Sequence, residues 1–93
     1  MKLSEVTLDL LNEQIGGKYP ITDRQFLFVM EYTQHQIGML AVRNAGYNHS
    51  TPGSQSSAAN KLLRNSRIRQ AIEIVTSIME EGENGGNRNL QGG

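Results

Sequence analysis

The sequence predicts an all-α protein, a small bundle of four or five short helices, and three observations favour this class. Apolar residues recur at steps of three and four along most of the chain. The 93 residues are 37% apolar and include no tryptophan, so burial must come mainly from Leu, Ile, Val, Ala and Met, which suits closely packed helices. The chain has no cysteine, which excludes a disulfide framework and a thiolate metal site.

The first predicted helix lies in an N-terminal unit that covers residues 1–20. Apolar residues from Leu3 onward follow helical spacing, and Ser4 is a suitable N-cap, so the spacing predicts a helix from Ser4 to Ile15. Two glycines, at positions 16 and 17, end this helix. Pro20 keeps the following linker extended.

The second and third helices follow this linker. Thr22 and Gln25 form a capping box, which predicts a helix over Asp23 to Thr33. Helical spacing resumes at Ile37 and continues to Asn44, after which Gly46 can adopt the left-handed conformation that closes a helix.

The fourth and fifth helices complete the predicted bundle. Thr51 and Pro52 offer a cap and first turn for a helix that runs from about Ser54 to Arg64. Ser66 can cap a last helix that carries a clean apolar stripe to about Glu81. Residues 21–81 therefore form the main domain, and residues 82–93, rich in Gly and Asn, are expected to be a disordered tail.

Charge is distributed unevenly although nine basic residues balance nine acidic ones. No carboxylate occurs between Glu31 and Glu73, and this interval holds five basic residues: Arg43, Lys61, Arg64, Arg67 and Arg69. Salt screens over about 8 Å, so a local positive field survives zero net charge. The middle of the chain is thus expected to meet an anion, and the alternative is a solvated basic face with no partner.

A polar stripe without acids follows one side of the fourth predicted helix. It consists of Ser54, Ser57, Lys61 and Arg64, while the opposite side carries Gln55, Ala58, Ala59, Leu62 and Leu63. Arg67 and Arg69 crowd the first turn of the fifth helix, where the helix dipole disfavours cations. A nearby anion explains this placement better than folding does.

Several kinds of chemistry are not indicated by the sequence. His35 and His49 have no cysteine or paired carboxylate beside them, which argues against a metal site. The glycine pair after Ile15 lacks the Lys-Ser/Thr that a phosphate-binding loop needs, and no spacing predicts a Ser-His-Asp set. We expect no catalytic residue and no cofactor. The chain also lacks an apolar run long enough for a membrane span or a signal peptide, so we expect a soluble intracellular protein.

Three ordered motifs carry a resemblance to a known family. They are ITxxQxxFVxEY from Ile21 to Tyr32, AVRNAGY from Ala41 to Tyr47, and KLLRNSxIRxAI from Lys61 to Ile72. Together they resemble the N-terminal domain of phage terminase small subunits, whose pattern is approximately LTxKQxxFVxEY, AAIRAGYS and RLLxNPxVRxAI. The sequence departs from that pattern in having Asn48 for Ser, Ser66 for Pro and a longer spacing between the second and third motifs.

The resemblance implies a helix-turn-helix, here placed between Ile37 and Arg64, that binds viral double-stranded DNA near the packaging start. In that family the small subunit is not catalytic and delivers DNA to the large terminase subunit, which holds the ATPase and the nuclease. The resemblance also implies a homo-oligomeric ring in the host cytoplasm.

With this resemblance, the candidate DNA-binding residues fall into two groups. Lys61 and Arg64, with Ser54, are assigned to phosphate or base-edge contact, and Ser57 and Asn60 are possible base readers. Arg43, Arg67 and Arg69 are assigned to neutralisation of the DNA backbone. Two other functions stay open: a helix-turn-helix transcription regulator, and a protein-interaction module in which DNA plays no part.

Tyr47 is predicted to be a packing residue that fixes the turn of the helix-turn-helix, because a duplex-binding protein does not need an exposed ring. Alanines on both predicted helices of this motif would let them approach closely.

Overall fold

Helices form all the regular secondary structure of the residues that the computed structural model describes, which are 2–18, 20–47 and 50–84. A 3₁₀ turn at Leu3–Glu5 precedes five α-helices: α1 Leu8–Ile15, α2 Asp23–His35, α3 Gly38–Asn44, α4 Pro52–Arg64 and α5 Ser66–Asn84. The predicted all-α class is confirmed.

The N-terminal segment differs from the prediction of one helix from Ser4 to Ile15. Ser4 lies inside the 3₁₀ turn, and α1 begins only after Thr7, whose hydroxyl accepts a hydrogen bond from the Leu10 N–H at 3.1 Å. Val6 and Thr7 are both extended, with ψ of 126° and 163°. Adjacent β-branched residues favour this conformation, and the break buries the Val6 side chain in the core.

Asn12 fixes the linker that follows α1. Its side-chain oxygen accepts from the Ile21 N–H at 2.8 Å, and its amide nitrogen donates to the Ile21 carbonyl at 3.3 Å. Ile21 is only 3% exposed, and these bonds satisfy both its N–H and its carbonyl. The pair of bonds anchors the start of the main domain to α1.

The capping box predicted for α2 is confirmed. The Thr22 hydroxyl accepts from the Gln25 N–H, and the Gln25 side chain accepts from the Thr22 N–H, at 3.2 and 2.9 Å. The helix ends at His35, two residues beyond the predicted Thr33. Gln36, with φ of 59°, is left-handed and closes it.

The core joins buried apolar side chains from the N-terminal segment and from all five α-helices. Its members are Val6, Leu11, Ile21, Phe28, Val29, Ala41, Val42, Ala45, Ala59, Ile68, Ala71 and Val75. The Phe28 ring stacks on the ring of Tyr32, with centroids 5.7 Å apart. The small residues in this set come mostly from α3, α4 and α5, which lets these helices lie close together.

The end of α3 confirms the role predicted for Gly46. This glycine has φ of 88°, and its N–H donates to the Arg43 carbonyl at 3.2 Å. The N–H of Tyr47 donates to the Val42 carbonyl at the same distance. These two bonds form a Schellman motif, which satisfies carbonyls at the end of the helix and turns the chain toward α4.

A single residue separates α4 from α5, and it serves both helices. Asn65 is the C-cap of α4, and its side-chain oxygen accepts from the N–H groups of Arg67 and Ile68 at 2.9 and 3.4 Å. Asn65 is therefore the N-cap of α5, and the assignment of that cap to Ser66 is wrong, because Ser66 already lies in the first helical turn.

The last helix extends to Asn84, three residues past its predicted end at Glu81. The tail expected over residues 82–93 falls, from residue 85 onward, outside the described residues.

Candidate nucleic-acid interface

Helices α3 and α4 form the closely packed pair on which the candidate interface is built. A Cβ placed at Gly38, the first residue of α3, would lie 2.8 Å from the Cβ of Ala59 on α4. Ala41 and Ala45 are also buried on the α3 side. The predicted close approach is present, and it involves Gly38 as well as the alanines that the sequence indicated. The arrangement is compatible with a helix-turn-helix.

The start of α4 is fixed by its own side chains. Thr51 accepts from the Ser54 N–H at 3.1 Å, and the Ser54 hydroxyl donates to the Thr51 carbonyl at 3.0 Å. Pro52 occupies the first turn, so α4 begins two residues before the predicted Ser54. Ser54 is partly buried, and its hydroxyl is engaged in this cap.

The exposed side of α4 carries four of the eight predicted site residues. Ser57, Asn60, Lys61 and Arg64 are exposed, whereas Gln55 and Ala59, on the opposite side, are buried. The predicted division of this helix into a polar and an apolar side is therefore confirmed. We call these four exposed residues the α4 polar face. It holds two cations and no acid, so its local field is positive.

The remaining predicted site residues lie on the helices that flank α4. Arg43, near the end of α3, and Arg69, in the first turns of α5, are exposed. Arg67 is partly buried. The first turn of α5 contains no acidic residue, and the helix dipole disfavours cations at this end of the helix.

A depression of about 530 Å³ lies along α4. It is lined by Tyr47, Ser54, Ser57, Ala58, Lys61, Leu62 and Asn65. It places the ring of Tyr47 beside the α4 polar face. As predicted, Tyr47 is partly buried and packs against the core. Burial raises the pKa of its phenol, and the nearby Arg24 guanidinium opposes that rise.

Arg24 is a cation that the sequence analysis missed. It lies in the first turn of α2, and its guanidinium carbon is 5.6 Å from the centre of the Tyr47 ring. The two residues belong to different motifs, and Arg24 lies outside the acid-free interval. An aromatic residue in the turn after α3 suggests a cation–π partner, but that signal does not identify which cation.

An acidic group borders the C-terminal end of α3. The Asn44 amide donates to a Glu31 carboxylate oxygen at 2.9 Å, and His35 lies 3.5 Å from the same oxygen. His35 and Glu31 are neighbours four residues apart on α2. The Glu31 carboxylate therefore connects α2 to the end of α3.

The described residues contain no group of three His, Asp or Glu side chains placed to hold a metal ion. Among these same residues, no helix is long and apolar enough to cross a membrane.

The fold and this surface define a small all-α protein in which a closely packed helix pair presents an acid-free basic face. The chain belongs to the terminase small subunit family, because the family model described as terminase small subunit matches residues 21–88, well over half of the 93 residues. The match begins at Ile21, so α1 and the preceding 3₁₀ turn lie outside it. A search of the curated proteins found no match, and a search of the solved structures found none either.

Proposed function

We propose that this chain is the DNA-recognition component of a viral DNA-packaging terminase. It binds duplex viral DNA through a helix-turn-helix made of α3 and α4, within a DNA-binding domain at residues 21–81. The observation that carries the proposal is the α4 polar face, which is exposed, positive and free of acids on a helix braced by α3. Membership of the terminase small subunit family supports the same role.

In this proposal α4 is the recognition helix. A major groove about 12 Å wide accepts one α-helix, while a second helix braces it across the backbone. Lys61 and Arg64 dock on phosphates, and Ser57 and Asn60 reach base edges. Arg43, Arg67 and Arg69 neutralise neighbouring phosphates, and Ser54 contributes through the first turn of α4.

Assembly into a homo-oligomeric ring is part of the proposal, because one copy offers few cations. A domain that makes only a few phosphate contacts binds non-specific duplex with a Kd of about 10⁻⁴ to 10⁻⁶ M at physiological salt. Several linked copies multiply that affinity without new contacts. The ring delivers the DNA to the large terminase subunit, which supplies the ATPase and nuclease activities in the cytoplasm of the bacterial host.

The test is fluorescence anisotropy of a labelled random duplex titrated with the chain at several salt concentrations. We expect binding that weakens steeply with salt. In Lys61→Ala/Arg64→Ala, two lost contacts reduce the salt slope by about 1.8, so the ratio of the variant Kd to the wild-type Kd falls about 12-fold between 50 and 200 mM salt. Lys2→Ala/Lys18→Ala is the matched control, because both residues are exposed and lie outside the family match.

Two results would contradict the proposal. If Lys61→Ala/Arg64→Ala bound as the wild type does, the α4 polar face would not be the contact surface. If the wild type bound no duplex at low salt while circular dichroism showed intact helices, a protein-interaction module would be the better account. Light scattering addresses the assembly, since a ring supports the packaging role and a two-fold dimer supports a transcription regulator.

A further inference from the structure

The contact between Arg24 and Tyr47 holds an exposed cation against the connection between α3 and α4. The guanidinium carbon lies 5.6 Å from the ring centre, within the range of about 6 Å for cation–π attraction. Tyr47 is itself partly buried against the core. Arg24 therefore rests on a fixed support, unlike a surface arginine that samples many rotamers.

Arg24 is placed where the helix dipole disfavours a cation. It is the second residue of α2, and a cation in the first turn opposes the helix dipole. No carboxylate of a described residue forms an ion pair with it. A cation–π contact uses no N–H donor in a hydrogen bond, so the guanidinium keeps its donors for a bidentate anion such as phosphate.

The position of Tyr47 makes Arg24 continuous with the α4 surface. Tyr47 lines the depression beside Ser57 and Lys61, and it also lines a second depression beside Arg24 and Leu27. Tyr47 thus borders both depressions. A duplex backbone that passes along α4 at Lys61 can extend past Tyr47 and meet Arg24.

We propose that Arg24, held over the Tyr47 ring, is a phosphate-binding residue that extends the DNA interface from α4 to the start of α2. This inference rests on the proposed function. When a recognition helix lies in the major groove, residues that flank the helix contact the phosphates on either side of the groove. Arg24 is placed to be such a residue. Its contact positions the duplex and reads no sequence.

The test compares Arg24→Gln with wild type in the salt-dependent anisotropy experiment on a random duplex. Loss of one phosphate contact should lower the salt slope by about 0.9. The ratio of the Arg24→Gln Kd to the wild-type Kd should therefore fall about 3.5-fold between 50 and 200 mM salt. Arg24→Lys keeps the charge and should keep the slope, with somewhat weaker binding because it loses the planar donors. Lys2→Gln, the charge-matched control, should bind as the wild type does, since Lys2 is exposed and donates to Glu5 through its backbone N–H.

Failure of this inference is distinguishable from failure of the proposed function. If Arg24→Gln kept the wild-type slope while Lys61→Ala/Arg64→Ala lowered it, Arg24 would not contact phosphate and the α4 interface would stand. An Arg24→Gln protein with a lower Tm and a uniform loss of affinity at every salt concentration would show a purely structural role, which also overturns the inference. A wild type that binds no duplex would remove both proposals.

Discussion

Replacing Gly38 with alanine should destabilise the domain, although alanine is the better helix former. The new Cβ would lie 2.8 Å from the Cβ of Ala59, whereas carbon atoms in favourable contact are about 3.5–4.0 Å apart. The atoms must therefore separate by roughly 0.7 Å or more, and both belong to helices, so the backbone must shift.

The size of the effect is the difference between two terms. Overpacking lowers the free energy of unfolding by about 1–3 kcal/mol. Replacing glycine restricts the unfolded chain, which raises the free energy of unfolding by about 0.4–1 kcal/mol. The net loss is about 1 kcal/mol, which lowers the Tm of a domain of this size by about 4–8 °C. Thermal melts followed by circular dichroism measure this shift, with urea titration to confirm that the change is in the free energy of unfolding.

Gly53→Ala is the matched control, because Gly53 also lies in the first turn of a helix but has open space where its Cβ would be. It should raise the free energy of unfolding by about 0.4–1 kcal/mol. A second control, Ala59→Gly, should reduce the cost of the Gly38 substitution when the two are combined. If Gly38→Ala stabilised the protein as Gly53→Ala does, the close approach of α3 and α4 would be refuted.

Three further predictions concern caps, linkers and titration. Asn65→Ala should cost about 1 kcal/mol in urea unfolding through loss of the α5 cap, and Ser66→Ala should cost much less; equal effects would argue against the shared cap. Asn12→Ala leaves both backbone groups of Ile21 without their partner, which should cost about 1–3 kcal/mol and speed amide exchange at Ile21; unchanged exchange would contradict this. Burial raises the pKa of Tyr47, so its contribution to stability is fully present below the ordinary value of 10.0 and is lost as pH rises through the folded-state pKa. Tyr47→Phe has no phenol to titrate. In urea melts above about pH 10, its free energy of unfolding should therefore fall less with pH than that of the wild type.

Sequence reasoning predicted the features that depend on nearby residues. The capping box of Thr22 and Gln25, the cap at Thr51 and the closure at Gly46 each involve groups a few residues apart, so the local pattern contains the whole interaction. The polar and apolar sides of α4 follow in the same way from helical periodicity.

The errors arise where two local patterns compete. Apolar spacing continues through Val6 and Thr7, so a helix was expected there, but the break buries Val6 and gives Thr7 a capping role. Asn65 and Ser66 are both good cap residues, and only the observed hydrogen bonds decide between them.

The contact between Arg24 and Tyr47 could not be predicted, because it depends on how α2 meets the turn after α3. The DNA contacts assigned to the α4 polar face stay predictions for a related reason. Exposure and charge describe this surface, but its partner is identified by a binding measurement or by the structure of a complex.

The docking of the N-terminal elements also has a consequence for the order of folding. The 3₁₀ turn and α1 pack on α5, so they join segments from opposite ends of the described chain. In contrast, α2 packs on α3 and α3 on α4, which are sequence neighbours, and α2 contacts α5 across a shorter stretch of chain. Closing a long loop costs more chain entropy than closing a short one. We therefore expect the neighbouring helices to associate first and α1 to dock last. The amides of α1 should then exchange with solvent through local opening, well before those around Phe28 and Val29, which exchange only when the whole domain unfolds.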